Sequence, residues 1–238
     1  MTSGKTRRVL IKLSGEALGG SAGFGIDPAL LDKKAAEIAD LTREGVQCAL
    51  VIGGGNLFRG AALQKAGLDR VVGDEMGMLA TIMNGLAMQD AIRRQGVPCV
   101  LMSTYGIDSI TMQYQATLGR ELLAKGNVLI AAGGTGSPFF TTDTTAVLRA
   151  IELNCHEVFK GTKVAGIYDA DPVTHPEAKL YTHLTYKEAL VKELQVMDLT
   201  AFALARDYHM PIRVFNLNKE GALRNAALGG NEGTLVSD

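Results

Sequence analysis

The sequence contains 238 residues, of which 47% are hydrophobic and 21% are charged, a composition typical of a globular protein with a substantial core. The 24 lysines and arginines nearly balance the 25 aspartates and glutamates, so the net charge is −1. This balance excludes a general attraction to nucleic acid or to an anionic membrane, and any phosphate binding must come from a local arrangement of groups.

The N-terminus and the cysteines indicate the cellular compartment. Residues 1–8 are polar and basic and lack the apolar stretch of a signal peptide, and the longest apolar runs are too short to span a bilayer. Cys48, Cys99 and Cys155 are widely spaced in apolar runs and form no metal or disulfide pattern. We therefore predict buried, reduced thiols in a cytoplasmic protein.

Apolar, β-branched runs alternate with helical patterns along the chain. The runs predict strands at 8–13, 46–52, 97–102, 127–132, 157–159 and 212–217. Capping signals and periodicity predict helices at 28–44, 74–95, 144–153 and 198–209, and a further helix that begins with a capping box at Thr185. This alternation indicates an α/β fold with a mainly parallel sheet covered on both faces, and 169–183 is predicted to be a long functional loop.

Ligands of open α/β sheets bind beyond the carboxyl ends of the strands, and four predicted strand ends carry glycine or charge. At the first, Lys12 ends the strand and Ser14 and Gly15 form a small turn. These residues could direct a cation and backbone amides at phosphate oxygens. A solvated lysine is the alternative, and for so short a motif it is the more frequent one.

The second strand end carries three consecutive glycines. Gly53, Gly54 and Gly55 form a turn able to wrap an anion, and Arg59 would bring a bidentate guanidinium to phosphate. The turn is neither a Walker A loop, because no Gly-Lys-Ser/Thr ends it, nor a GxGxxG motif, because Phe58 occupies the position of the third glycine.

The third strand end, residues 134–143, is the most informative stretch. It combines glycines, three threonines and Pro138, and Asp143 lies where a helix cap is predicted. A loop that only reversed the chain would not need this polar chemistry. We predict that it holds an anionic small molecule against a helix N-terminus.

The fourth strand end, residues 160–172, gathers two lysines, a threonine, a tyrosine and two aspartates. A nucleotide could place its base against Tyr168 and its ribose near Asp171. An ordinary polar loop is the alternative for Lys163 and Asp169. The four histidines of the chain form no cluster, so no metal site built from protein ligands alone is predicted.

Several of these motifs resemble, in order, those of the bacterial uridylate kinases of the amino acid kinase superfamily. The resemblance covers about residues 9–236 and is carried by the segments 12–18, 51–60, 74–88, 138–143 and 196–199. It implies a single amino acid kinase-like domain over 1–238, a three-layer αβα sandwich in which about 9–150 bind the acceptor and about 151–236 bind ATP. It also implies a homohexamer that phosphorylates UMP to UDP with Mg-ATP, in pyrimidine nucleotide biosynthesis.

The resemblance also implies which residues bind each ligand. For ATP these are Lys12, Leu13, Ser14, Gly15, Gly55, Arg59, Thr162, Tyr168 and Asp171. For UMP these are Gly54, Asp74, Thr135, Gly136, Ser137, Pro138, Phe139, Phe140, Thr141 and Thr142. The segment Gly20, Ser21, Ala22, Gly23, Phe24 and Gly25 resembles the family segment associated with activation by GTP, and inhibition by UTP is typical of the family.

For catalysis we predict that Lys12 stabilises the transferring phosphoryl group and the β-phosphate, and that Arg59 and the amides of Gly53–Gly55 neutralise phosphates between donor and acceptor. Asp143 and Asp198 are predicted to orient Lys12 and a hydrated Mg²⁺ held mainly by ATP phosphates and water. The methionine-rich helix 74–95 is the candidate subunit contact.

Two positions depart from the family pattern: Ala165 replaces a common aspartate and Ser137 a common asparagine. The sequence leaves two alternatives: a sister kinase that acts on a carboxylate or carbamate, and a protein that stores oxyanions or senses nucleotides without turnover. The two phenylalanines Phe139 and Phe140 favour an acceptor with a base. Retention of Lys12, Arg59, Asp143 and Asp198 together argues against storage.

Overall fold

The computed structural model describes residues 6–20, 23–58, 67–192, 194 and 196–238. The strands of this part are β1 (Arg8–Leu13), β2 (Gln47–Ile52), β3 (Cys99–Ser103), β4 (Met112–Gln113), β5 (Val128–Ala132), β6 (Glu157–Thr162), β7 (His183–Leu184), β8 (Ile212–Asn216) and β9 (Thr234–Val236). The helices are α1 (Pro28–Arg43), α2 (Arg70–Arg94), α3 (Ala116–Ala124), α4 (Thr142–Glu152), α5 (Tyr186–Val191), α6 (Leu199–Asp207) and α7 (Ala222–Ala227), and a 3-10 turn covers Gly15–Leu18.

All nine strands join one sheet in the order β4-β3-β5-β2-β1-β6-β8-β9-β7. Strand β1 is central and pairs in parallel with β2 and with β6, whereas β8 and β9 pair antiparallel. The carboxyl ends of β1, β2, β5 and β6 therefore lie along the same edge of the sheet. The predicted mainly parallel sheet is confirmed.

Two apolar cores lie on opposite faces of this sheet. Successive residues of β1 point to opposite faces, so Val9 and Ile11 pack with residues of α1, α2 and α7, while Leu10 packs with residues of α3, α4, α5 and α6. Helices therefore cover both faces, as the alternating pattern predicts, and the three-layer αβα arrangement implied by the family resemblance is confirmed.

Two predicted helix starts are wrong, for the same reason. Helix α2 begins at Arg70 rather than at residue 74, because the Asp69 carboxylate accepts hydrogen bonds from the amides of the first turn. Helix α4 begins at Thr142, and its cap is Thr141 rather than Asp143. The Thr141 hydroxyl accepts from the Asp143 amide at 3.0 Å, which leaves the Asp143 carboxylate for other partners.

Short elements were missed because two- and three-residue strands such as β4, β7 and β9 carry no readable periodicity. The capping box at Thr185 is confirmed.

Cys48, Cys99 and Cys155 are buried free thiols, as predicted, and burial raises the pKa of each to about 12. Among the described helices, none is long and apolar enough to cross a membrane.

Candidate active site

Two lysines from neighbouring strands meet beneath the site. Strands β1 and β6 pair in a register that places Lys12 directly beside Lys160. Both side chains are only about one tenth exposed, at 10% and 11%. Two ammonium groups at this depth need a compensating anion, because burial disfavours a charged group without a partner.

Asp143, in the first turn of α4, supplies that anion. Its Oδ1 lies 2.8 Å from the Lys12 Nζ and its Oδ2 lies 2.5 Å from the Lys160 Nζ. Lys160 also donates a hydrogen bond to the Val196 carbonyl oxygen. We call Lys12, Asp143 and Lys160 the lysine–aspartate cluster. With two ammonium groups and one carboxylate, it presents a net positive charge, which suits a polyanionic ligand.

The cluster changes the acidity of its members. Burial opposes ionisation of Asp143, but the two ammonium groups outweigh burial and hold the pKa of this carboxyl below its ordinary value. For Lys160, burial lowers the pKa below its ordinary value, against the opposing effect of Asp143 and with a further contribution from Lys12. Asp143 is therefore ionised at neutral pH and is unsuited to act as a general base.

Asp198 is placed differently from Asp143. It caps α6 by accepting from the Ala201 amide at 2.7 Å, and it accepts from the hydroxyls of Thr144, at 2.8 Å, and Thr141. It therefore joins the N-terminal ends of α4 and α6. Among the described contacts, Asp143 pairs with Lys12 and Asp198 does not, so an orienting contact on Lys12 is seen for only one of the two predicted aspartates.

The first two glycine turns are in direct contact. The Gly53 amide donates to the Leu13 carbonyl oxygen at 2.9 Å. A Cβ added to Gly15 would lie 2.7 Å from the Gly53 oxygen and 2.7 Å from the Gly55 nitrogen, so only glycine allows this approach. The Leu13 side chain is buried in the core, and only its backbone faces the turn.

The hydroxyl of Ser14, another predicted ATP residue, accepts from the Ala17 amide at 3.3 Å. Ser14 thereby caps the 3-10 turn that follows the first strand.

A cavity of about 460 Å³ opens between α2, α4 and the glycine turn. Of the residues predicted to bind UMP, those in its lining are Gly54, Asp74, Phe140, Thr141 and Thr142. Gly55, predicted to bind ATP, also lines this cavity. The cavity therefore collects residues from the second and third strand ends, as their common edge of the sheet requires.

The loop 134–140 is attached to α2 through Asp74. The Asp74 carboxylate accepts from the Phe139 amide at 2.7 Å and pairs with Arg70 at 2.8 Å. Phe139 has a φ of +72°, which is unusual for a bulky residue, and the Arg70 guanidinium lies 5.6 Å from its ring centroid. Asp74 thus holds a strained part of this loop in place.

Within the same loop, the Thr135 hydroxyl donates to the Ser137 carbonyl oxygen and accepts from the Ser137 amide. Gly136 has a φ of +85°, and the predicted Pro138 follows in the same turn.

A second cavity of about 450 Å³ lies at the fourth strand end. Tyr168 and Asp171, both predicted to bind ATP, line it together with Val196. The Thr162 hydroxyl donates to the Val164 carbonyl oxygen at 2.7 Å, and Val164 is part of the same lining. The lysine–aspartate cluster lies between the two cavities. Lys160 bonds to Val196, which lines the second cavity. Thr142 and Thr145, neighbours of Asp143 in α4, line the first cavity.

Some predicted residues lie outside the described part of the chain. These are Arg59, Ser21 and Ala22. Of the remaining GTP segment, Gly20, Gly23 and Gly25 have positive φ and Phe24 is 73% exposed.

Lys160 belongs to the candidate site, although the sequence pattern does not predict it there. The apolar run predicts a strand that ends at residue 159 and places Lys160 in the following polar loop, without a role. A lysine that continues the apolar run Val158 and Phe159 was the available signal. Its partner, however, is decided by the pairing of strands that are far apart in the sequence.

Known proteins resemble this chain over nearly its whole length. Residues 7–216 match the amino acid kinase family. The chain is 58% identical over 232 residues to a uridylate kinase of Vibrio cholerae serotype O1, covering 98% of this chain and 96% of that protein. It is also 58% identical to a uridylate kinase of Histophilus somni, with 98% of each chain covered.

Solved structures show the same fold. The UMP kinase of Bacillus anthracis superposes with a TM-score of 0.95 at 37% identity, covering 98% of this chain and 96% of that one. The UMP kinase of Ureaplasma parvum gives a TM-score of 0.93 at 34% identity, covering 99% and 100%. The chain belongs to the amino acid kinase family and, within it, to the uridylate kinases.

Replacing Asp143 with Asn should destabilise the protein strongly, because two buried ammonium groups would lose their anion. We expect Asp143→Asn to lower the free energy of unfolding by about 3–5 kcal/mol at neutral pH, measured by urea denaturation. The control is Asp40→Asn, which removes an exposed partner of Arg43 and should change it by less than about 0.5 kcal/mol.

The stability of the Asp143→Asn variant should depend on pH, and the sign of this dependence follows from Lys160. Burial already lowers the pKa of Lys160, and Asp143 opposes this effect more strongly than Asp198 does. Without Asp143, folded Lys160 loses its proton at a lower pH, so the unfolded state binds more protons and the variant gains stability as the pH rises. The loss of unfolding free energy caused by Asp143→Asn should therefore be smaller near pH 9.5 than near pH 7. A larger deficit at high pH would contradict the role of Asp143.

Proposed function

We propose that this protein is a UMP kinase that transfers the γ-phosphoryl group of ATP to UMP and forms UDP, in pyrimidine nucleotide biosynthesis. The observation that carries the proposal is the lysine–aspartate cluster, whose buried positive charge adjoins two cavities lined by the residues predicted for acceptor and donor. Relatives named uridylate kinase and structures named UMP kinase, matched over nearly the whole chain, support the choice of acceptor.

The proposed reaction needs no general base. The acceptor atom is an oxygen of the UMP phosphate, which is already ionised at neutral pH, so the nucleophile requires no proton transfer. The barrier comes from bringing two polyanions together and from charge on the transferred phosphoryl group. Fixed cations and backbone amides lower this barrier.

Each part of the site has a proposed task. Lys12 and Lys160 stabilise the charge on the transferred phosphoryl group, and Asp143 holds both ammonium groups in place. Arg59 and the amides of Gly53–Gly55 contact phosphate between donor and acceptor. Asp198 keeps α4 and α6 together, which fixes the position of Asp143.

UMP is proposed to lie in the first cavity, with its ribose at Asp74 and its base against the loop that contains Phe139 and Phe140. ATP is proposed to lie in the second cavity, with its base at Tyr168 and its ribose near Asp171. The two phosphate chains would then meet at the lysine–aspartate cluster, where the transferred group needs positive charge.

The residues present fit a Mg²⁺ ion held by ATP phosphates and water. Both oxygens of Asp143 face lysine, both oxygens of Asp198 accept hydrogen bonds, and no group of three metal-ligating side chains occurs in the described part of the chain. A Mg²⁺ ion bound with ATP would neutralise phosphate charge and align the γ-phosphoryl group.

We further propose a homohexamer in which α2 forms a subunit contact. Its outward side chains Val72, Met76, Leu79 and Met83 are exposed and apolar, which is unfavourable unless another surface covers them.

Activation by GTP through residues 20–25 and inhibition by UTP are proposed from the family resemblance. A cytoplasmic location is supported by the three buried free thiols.

The acceptor is tested with Mg-ATP and a panel of UMP, CMP, dUMP, acetylglutamate and aspartate, with ADP release as the readout. We expect UDP from UMP and turnover with the carboxylate acceptors at background level. Turnover of a carboxylate with none of UMP would instead indicate a sister kinase. Binding of ATP without turnover of any acceptor would indicate storage or sensing.

Removing either buried ammonium group should reduce catalysis. We expect Lys12→Met or Lys160→Met to lower kcat by about a hundredfold or more, as loss of one preorganised electrostatic group does. The matched control is Lys125→Met, which removes an exposed lysine at the end of α3 and should leave kcat unchanged. Near-normal kcat in folded Lys160→Met would remove this residue from the mechanism.

Asp74 should affect one substrate more than the other. Because Asp74 lines the first cavity and holds the Phe139 amide, Asp74→Asn is expected to raise KM for UMP by about tenfold, as loss of a charge-assisted hydrogen bond of ~1.5 kcal/mol would. The KM for ATP should change little. Asp90→Asn, at an exposed ion pair on the same helix, is the control. Equal effects on both substrates would contradict the assignment.

A further inference from the structure

Two asparagine side chains with no solvent exposure face each other behind the glycine turn. Asn56 follows the turn and Asn84 lies in the middle of α2, and both are 0% exposed. Their amides bond reciprocally: the Asn56 Nδ2 donates to the Asn84 Oδ1 at 3.1 Å, and the Asn84 Nδ2 donates to the Asn56 Oδ1 at 2.7 Å. We call them the asparagine pair.

The remaining hydrogen of each side-chain amide is donated to a backbone carbonyl oxygen near the glycine turns. The Asn84 Nδ2 donates to the Gly53 carbonyl oxygen at 2.7 Å, and the Asn56 Nδ2 donates to the Gly25 carbonyl oxygen at 2.7 Å. All four amide hydrogens thus have partners. The backbone carbonyl oxygen of Asn56 also accepts from the backbone amide of Gly25 at 2.8 Å. A fully satisfied buried network of this kind specifies one geometry, since any shift leaves a polar group without a partner.

The asparagine pair lies beside both glycine turns, the one at Gly15 and the one at Gly53–Gly55. A Cβ on Gly15 would lie 2.4 Å from the Asn56 Oδ1, so the first turn packs directly on this amide. A Cβ on Gly54 would lie 2.8 Å from the Gly77 carbonyl oxygen, so the second turn packs directly on α2. Small displacements of the asparagine pair would therefore move backbone amides in both turns.

We propose that Asn56 and Asn84 are positioning residues for phosphoryl transfer, which hold the Gly53–Gly55 turn against Gly15 so that the amides of both turns converge on the phosphates. The proposal rests on the proposed kinase function and deepens it. Both asparagines are fully buried, so neither is placed to contact a substrate. Each acts through backbone: Asn84 through the Gly53 carbonyl, and Asn56 through Gly25 and through its packing on Gly15.

Such a role predicts a loss of rate rather than of binding. Misplacement of preorganised groups by about 1 Å can lower the rate by about a hundredfold, whereas ground-state binding is spread over many contacts in both cavities. Loss of the asparagine pair should therefore lower kcat and leave KM for UMP and for ATP within about threefold of the wild type.

The test compares Asn84→Ala with Met88→Ala. Met88 is a fully buried residue of the same helix that packs in the core, so its truncation destabilises α2 and leaves the hydrogen bonds of the asparagine pair in place. The Tm, kcat and both KM values are measured on the same preparations, well below the lower Tm. We expect Asn84→Ala to lower kcat by about a hundredfold and Met88→Ala to leave it within about twofold, although both lower the Tm.

Proportional losses of kcat and Tm in both variants would overturn the proposal, because they would show a general role in stability. If Asn84→Ala does not fold, Asn56→Ala, which leaves α2 unchanged, provides the same comparison. In the double variant, kcat should fall no further than in the more impaired single variant, since the two amides act as one unit. Multiplicative losses would show that they act separately.

The wild-type assay separates this proposal from the proposed function. A wild-type protein that does not form UDP from UMP would refute the kinase activity itself. A fully active wild type with an Asn84→Ala variant of normal kcat would refute only the positioning role.

Discussion

The candidate active site depends on the burial of two lysines against one aspartate. Lys12 and Lys160 occupy neighbouring positions on paired central strands, and Asp143 is the anion that balances their buried charge. The rest of the site follows from this constraint. Helix α4 must begin where Asp143 reaches both lysines, so Thr141 serves as its cap and Asp198 holds its first turn to α6.

The excess positive charge of this cluster connects the fold to the proposed chemistry. A parallel sheet brings the carboxyl ends of its strands to one edge, and there the glycine turns offer backbone amides rather than side chains. Phosphates that enter from two cavities would meet fixed cations and amides that need no rearrangement during the reaction. This is how a protein with a net charge of only −1 can attract two polyanionic nucleotides to one place.

Helix α2 serves three purposes at once. One part of it holds Asp74, which fixes the strained backbone at Phe139, and another holds Asn84, which fixes the glycine turn. Its outward face is apolar and exposed, which suits the proposed subunit contact. A helix with all three tasks has no single hydrophobic stripe. Its sequence pattern therefore predicts that a helix is present but does not show where its first turn begins.

The sequence by itself determined the α/β class, the six main strands and the strand ends that carry the site, because continuous apolar runs and glycine turns depend on local chemistry. It also contained the motifs that resemble the uridylate kinases. The tertiary structure alone decided that Lys160 joins Lys12, that Asp143 bridges them instead of capping α4, and that Asn56 meets Asn84. These contacts join residues brought together by strand register and helix packing, which no local pattern of residues encodes.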